Sequence, residues 1–150
     1  MKVVICGPPH SGKSVFLGGL CENLPRASRY LFRACPDGEG TWTWKGSGAE
    51  QYRRKGSFSG TIVDWYVQSL RSCEMAPIIL VDVGGRMSEE NRRIMAECDS
   101  AIILSGDPEQ IAPWQKFCQE IGLQILAVVF SEYHGTADDI VSSPLVVHHL

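Results

Sequence analysis

A parallel α/β sheet covered by helices is the fold class this sequence predicts, and three observations predict it. Strand-like runs alternate with segments of helical spacing along the chain. The strand-like runs are continuously apolar instead of alternating, as in strands buried on both faces. Length and composition agree: 150 residues, 44% hydrophobic and 21% charged, suit one ordinary core and do not suit disorder.

The elements follow in order. Lys2–Cys6 is a short β-rich run that ends at a glycine. Residues 12–24 place Phe16, Leu17, Leu20, Cys21 and Leu24 at helical spacing, and Pro25 stops them. Residues 29–35 form a second strand. Residues 36–60 hold six glycines around Trp42 and Trp44, an irregular insertion longer than compact domains usually carry. Residues 61–73 predict a helix with Ile62, Tyr66, Leu70 and Cys73 on one face. Residues 77–81 are an apolar strand ending at Asp82. Ser88 caps a short helix that carries Glu89 and Glu90 in its first turn and runs to about Glu97. Residues 101–104 are another strand. Asp107-Pro108-Glu109-Gln110 has capping-box spacing with proline at the first helical position, so a helix runs from there to Ile121 and ends at Gly122. Pro113 should kink that helix or delay its start. Residues 124–130 give a fifth strand, and the tail from Pro144 reads as a sixth.

Gly7-Pro8-Pro9-His10-Ser11-Gly12-Lys13-Ser14 fits G-x-x-x-x-G-K-[ST] in full, between the first strand and the first helix. Glycines let the backbone wrap a phosphate with its N–H groups inward, and the following helix adds its N-terminal donors and dipole. The candidate nucleotide-binding residues are therefore Gly7, His10, Ser11, Gly12, Lys13, Ser14 and Val15, with His10 on the rim. Lys13 would reach the β- and γ-phosphates, and the Ser14 hydroxyl would ligate Mg²⁺. Ile78-Ile79-Leu80-Val81-Asp82 is a Walker-B strand whose carboxylate would sit beside the same Mg²⁺. Asp82-Val83-Gly84-Gly85 also fits D-x-x-G, which makes the Gly85 N–H a candidate sensor of the γ-phosphate and residues 84–93 a segment that orders with nucleotide state.

The fold class sharpens to a P-loop NTPase three-layer sandwich of about five parallel strands, with the first strand central beside the Walker-B strand. Two absences bear on function. Val83 follows Asp82, so the D-E pair of many ATP-driven motors is missing. After the fifth strand stands Val129-Phe130-Ser131-Glu132, which is not N-K-x-D, so guanine specificity lacks its usual support. ATP is the expected nucleotide by default.

An acceptor site is expected beyond the second strand. Strand C-termini in an open α/β sheet face the ligand crevice. Asp37 or Glu39 would approach the γ-phosphate there, taking a proton from an incoming hydroxyl or holding a second metal; the alternative is a capped turn. Trp42 and Trp44 would stack on a base or sugar, or else pack over the sheet edge. Arg53, Arg54, Lys55, Arg86, Arg92 and Arg93 are candidates to stabilise charge on the transferring phosphoryl group, or surface residues.

Net charge is −3, but residues 26–56 hold seven Lys/Arg against three acids, a net of +4, which leaves −7 for the remainder. An anionic acceptor near 26–56, or a solvated loop surface, fits that split. The six cysteines form no C-x-x-C pair and read as free, mostly buried thiols. No apolar run nears the roughly 20 residues of a membrane helix, and the N-terminal run is too short for a secretory signal, so a cytoplasmic protein without membrane contact is expected.

The phosphate loop, Asp37-Gly-Glu-Gly-Thr-Trp42, Asp82-Val-Gly-Gly85 with Glu90-Asn-Arg-Arg-Ile94, and Ala101-Ile-Ile-Leu-Ser-Gly-Asp-Pro-Glu109 together resemble the P-loop ATPase or kinase-like (AAA-like) domain associated with type III CRISPR systems. That domain is often fused to a ring nuclease that degrades cyclic oligoadenylate. The resemblance covers most of residues 1–110 and carries roles only to Lys13, Ser14 and Asp82. It implies an accessory role in antiviral defence. This chain starts directly at the P-loop strand, so any nuclease domain or subunit is expected from another chain.

The expected function is Mg-dependent ATP binding, with kinase-like phosphoryl transfer or slow hydrolysis in which Lys13, Asp82 and Asp37 take part. The alternative is a switch-like or non-catalytic nucleotide-binding module that controls a partner. A homo-oligomer is compatible with either.

Overall fold

A computed structural model describes residues 1–35 and 60–132, and the backbone of Asp139–Val141 and Leu145–His148. The elements are β1 (Lys2–Cys6), α1 (Lys13–Asn23), a 3-10 turn (Arg26–Ser28), β2 (Arg29–Ala34), α2 (Gly60–Arg71), β3 (Ile78–Val83), α3 (Glu89–Met95), β4 (Ser100–Ser105), α4 (Pro108–Ile121), β5 (Gln124–Phe130), β6 (Asp139–Val141) and β7 (Leu145–His148). Asp37, Glu39, Trp42, Trp44, Arg53, Arg54 and Lys55 lie outside the described residues.

The strands form one sheet in the order β2-β3-β1-β4-β5-β7-β6. The five expected strands are all parallel, with β1 between β3 and β4. The tail adds β7, also parallel, and an antiparallel edge strand, β6, that the sequence reading lacked. The chain travels from β1 to β2 in one direction and, after β3, crosses β1 to reach β4 in the other. Strand order therefore reverses around β1, and the crevice beyond the strand C-termini lies there.

Pleating sorts side chains between two layers. Val4, Cys6, Ile79, Val81, Val83, Ala101 and Ile103 join Val63, Val67 and Leu70 of α2, Ile94 and Met95 of α3, and Trp114, Phe117 and Cys118 of α4 in the larger core. Val3, Ile5, Leu80 and Leu104 face the other way and pack with Leu17 of α1. A register shift at Ala101/Ile102 opposite β5 accommodates an extra residue, Leu126.

Two local expectations change, and the expected free thiols are found. The deepest residues of α2 are Val63, Val67 and Leu70, with Tyr66 packed at the margin, so the buried face is turned from the one expected. Pro113 neither delays nor ends α4, which begins with Pro108 at N1. Pro113 is exposed, so water can satisfy the carbonyl that its missing N–H leaves open. All six cysteines are free; Cys6, Cys35 and Cys118 are buried, and Cys21, Cys73 and Cys98 are half-buried. The Cys6 and Cys118 sulfurs are 3.6 Å apart. That contact and burial push the Cys6 thiol well above its ordinary range, and burial pushes Cys98 up to about 12. Such thiols are packing residues.

Caps and ion pairs fix the helices. The Ser88 hydroxyl accepts from the Asn91 N–H at 3.3 Å, and Asp107 Oδ1 accepts from the Glu109 N–H at 3.0 Å. Arg71 at the end of α2 donates from Nε and Nη2 to Glu97, at 3.1 and 2.6 Å. The guanidinium holds the Glu97 carboxyl below its usual range. A depressed carboxyl pKa stabilises the fold above the unfolded value, about 4.5, and the contribution disappears as pH falls through the folded value. Urea denaturation should therefore find Glu97→Gln slightly less stable than the parent at neutral pH, with the difference closing in acid. A gap that widens in acid would contradict the pairing.

Candidate functional site

The link from β1 to α1 turns on three residues with positive φ: Gly7 at 141°, His10 at 60° and Gly12 at 78°. A Cβ on Gly7 would lie 1.8 Å from the Leu104 carbonyl oxygen of β4, so only glycine fits. His10 is exposed, in a conformation that a non-glycine residue adopts rarely.

Gly12 is the N-cap of α1 and brings no capping side chain, and no acid stands in the first turn. The first helical bond runs from the Phe16 N–H to the Gly12 carbonyl at 2.9 Å. The N–H groups of Lys13, Ser14 and Val15 precede it in the ladder and, with the helix dipole behind them, favour an anion. Lys13 folds back over the loop: Nζ donates to the carbonyls of Gly7 at 2.9 Å and Pro8 at 2.6 Å. The loop is thus curled around an ammonium.

Sequence reasoning missed one residue here. Ser131, just past β5, donates from its hydroxyl to the Ser11 carbonyl at 3.0 Å, while its N–H donates to the Ser105 carbonyl at 3.0 Å. It ties the P-loop to the ends of β4 and β5. Its only trace in the sequence was its place in a segment that is not N-K-x-D.

Asp82 pairs in register with Ile5 of β1, one residue from the end of that strand. It is 2% exposed. Pleat alternation puts it on the face of Leu80, the α1 face. The carboxylate has contacts of its own, while Oδ2 is buried and accepts no hydrogen bond from the described residues. A buried carboxylate oxygen and the half-buried Ser14 hydroxyl in the first turn of α1 are hard oxygen donors of the kind Mg²⁺ takes alongside phosphate oxygens. These two residues fit the metal, and no cluster of three or more His, Cys, Asp or Glu side chains competes among the described residues.

The turn after β3 lies against the P-loop. A Cβ on Gly85 would come within 2.6 Å of the Pro9 nitrogen and 3.0 Å of the Pro8 carbonyl carbon. Asn91 of α3 donates from Nδ2 to the Gly84 carbonyl at 3.1 Å and the Arg86 carbonyl at 2.8 Å. Asn91 has no role of its own in the sequence reading.

The cationic candidates separate. Arg92 is bound to Glu120 at 3.0 Å and lies over the Phe117 ring at 4.6 Å, and Arg93 pairs with Asp64 of α2. Both brace α3 against its neighbours, in keeping with the surface alternative of the two readings. Arg86 is exposed beside the site. Asp37 and the other members of the acceptor segment lie outside the described residues. A cleft of about 630 Å³ lined by Lys2, Arg71, Met75, Pro77 and Asp99 opens at the opposite pole, beside the strand N-termini.

No family model and no curated protein matches this sequence. Solved structures do. A nucleotide-binding protein from Archaeoglobus fulgidus, in complex with ADP and with cobalt found in it, superposes with a TM-score of 0.52 at 12% identity over 85% of this chain. The signal recognition particle receptor FtsY from Elizabethkingia anophelis superposes with a TM-score of 0.51 at 16% identity over 91% of this chain. The chain spans 65% and 51% of the lengths of those two structures. At these identities the likeness shows the fold, an α/β sheet of the P-loop NTPase type. No described helix is long and apolar enough to cross a membrane.

Gly7→Ala tests the close packing of the loop. Steric overlap with the Leu104 carbonyl and the positive φ should together cost at least about 2 kcal/mol. The expected result is an earlier urea midpoint with an unchanged slope. A midpoint like the parent's would show that the loop can move off β4.

Proposed function

We propose that this chain binds Mg–ATP at residues 7–15 and hydrolyses it slowly, with the turn at Gly84–Gly85 responding to the terminal phosphate. The observation that carries the proposal is the loop curled around the Lys13 ammonium at the uncapped N-terminus of α1. A cation and the unpaired N–H groups of a helix N-terminus in one short loop are the groups that bind phosphate.

Each group has a role in this reading. Lys13 neutralises the β- and γ-phosphates, and N–H groups along residues 10–15 donate to their oxygens. Ser14 and Asp82 hold the metal. The metal they would hold would supply positive charge to offset the negative charge that builds up on the terminal phosphoryl group. Gly85 donates its N–H to the γ-phosphate. The relative that holds ADP and cobalt supports a nucleotide with a divalent cation, and ATP is chosen because the guanine motif is missing.

The regulatory reading gains from one observation. Gly85 lies against the P-loop, Asn91 ties its turn to α3, and Arg92 and Arg93 tie α3 to α4 and α2, so a change at the phosphate has a route to the surface. The kinase-like reading relies on Asp37 as the group that takes a proton from an acceptor near 26–56. An accessory role in CRISPR defence, with a nuclease domain or subunit as partner, rests on the sequence resemblance. We propose further that the 150 residues act as one nucleotide-binding domain.

Lys13→Ala should abolish Mg–ATP binding in titration calorimetry, and unchanged affinity would sink the proposal. With γ-labelled ATP on thin-layer plates, slow release of free phosphate is expected from the parent protein. Label on an acceptor would instead favour the kinase-like reading.

A further inference from the structure

Asn91 is 1% exposed, on a seven-residue helix whose other buried residues are Ile94 and Met95. An apolar side chain would fill that position without bringing in a polar atom of its own. The asparagine does bring one: Oδ1 is buried and takes no hydrogen bond from the described residues. An unmatched buried acceptor costs about 1–3 kcal/mol. The arrangement is nevertheless forced. Two backbone carbonyls, of Gly84 and Arg86, face the amide at 3.1 and 2.8 Å, and only the NH₂ end can donate to them.

Those carbonyls bracket Gly85. In a trans peptide the C=O of residue i and the N–H of residue i+1 lie in one plane and point in opposite directions. The Gly84 carbonyl is drawn toward Asn91, so the Gly85 N–H is turned away from α3. Gly85 itself lies against Pro8 and Pro9 of the P-loop. One amide side chain therefore sets both the place and the aim of the only N–H that the D-x-x-G turn is expected to offer a terminal phosphate.

We propose that Asn91 is a positioning residue for recognition of the γ-phosphate: its amide holds the Gly84 and Arg86 carbonyls so that the Gly85 N–H discriminates nucleoside triphosphate from diphosphate. The inference rests on the nucleotide reading above. It assigns Asn91 no contact with nucleotide, and it makes phosphate-chain length the quantity that Asn91 controls. The α- and β-phosphates are served by the P-loop and need nothing from it.

The experiment is calorimetry with Mg–ADP and with a non-hydrolysable Mg–ATP analogue on the parent chain, Asn91→Leu, Asn91→Asp and Ser88→Ala. Asn91→Leu fills the space without donors, and Asn91→Asp keeps the size without donors. Ser88→Ala weakens the cap of α3 and spares the amide clamp. The parent should prefer the triphosphate analogue. Both Asn91 variants should lose about tenfold in affinity for the analogue, the effect of one misdirected hydrogen bond to a charged group. Their ADP affinity should stay within about twofold, and Ser88→Ala should keep the parent's preference. An unchanged preference in the Asn91 variants overturns the proposal and leaves nucleotide binding intact. Equal loss of both nucleotides, or unfolding of both variants, makes Asn91 a purely structural residue and also overturns it. A parent that binds ADP but does not distinguish the analogue overturns it too. A parent that binds neither nucleotide removes the underlying reading as well.

Discussion

Lys13 lies across the loop that precedes it, its ammonium held by the carbonyls of Gly7 and Pro8. The contact is an unusual use of a charged side chain. An ammonium is strongly hydrated, and drawing it onto two carbonyls substitutes backbone dipoles for water. The loop must then present its carbonyls to the lysine and its N–H groups elsewhere. That sorting of dipoles requires the left-handed turns at Gly7, His10 and Gly12. It also sets where α1 begins, and hence how α1 lies on the Val3–Ile5 face of β1.

The sheet serves the same arrangement. Parallel pairing of β1 with β3 places Asp82 beside Ile5, and pleating turns both toward α1. The opposite face carries α2, α3 and α4 on the larger apolar cluster, so most of the hydrophobic stabilisation lies behind the site and not in it. The ion pairs of Arg71, Arg92 and Arg93 run between elements of that second layer. All three are partly exposed and contribute little energy, but they fix the angles at which the helices meet.

Much of this was legible in the sequence because it is written in local pattern. The glycine turn between β1 and α1, the apolar strand that carries Asp82, the Ser88 and Asp107 caps and the five parallel strands each depend on residues adjacent in the chain. What was illegible depends on pairs far apart. Ser131 reaches Ser11 across 120 positions, and the partners of Arg92 and Arg93 are on other helices. Nothing in the residues around Asn91 says that two carbonyls of the preceding turn face it. The buried face of α2 was misjudged because several apolar side chains ring that helix, and only the β2 and β3 surface beneath it chooses among them. Pro113 shows the converse: a local rule for breaking a helix was overruled by exposure of the carbonyl it leaves open.

Gly7 packs its backbone directly on the Leu104 carbonyl, with no side chain between them. Side chains yield to pressure by changing rotamer, but a carbonyl held within a parallel sheet has no comparable freedom. The near wall of the P-loop is therefore a fixed length, set by the spacing of β1 and β4 and by nothing a ligand brings. Such a wall is inextensible: the separation of the two backbones at the start of the loop stays what the pairing of β1 with β4 makes it.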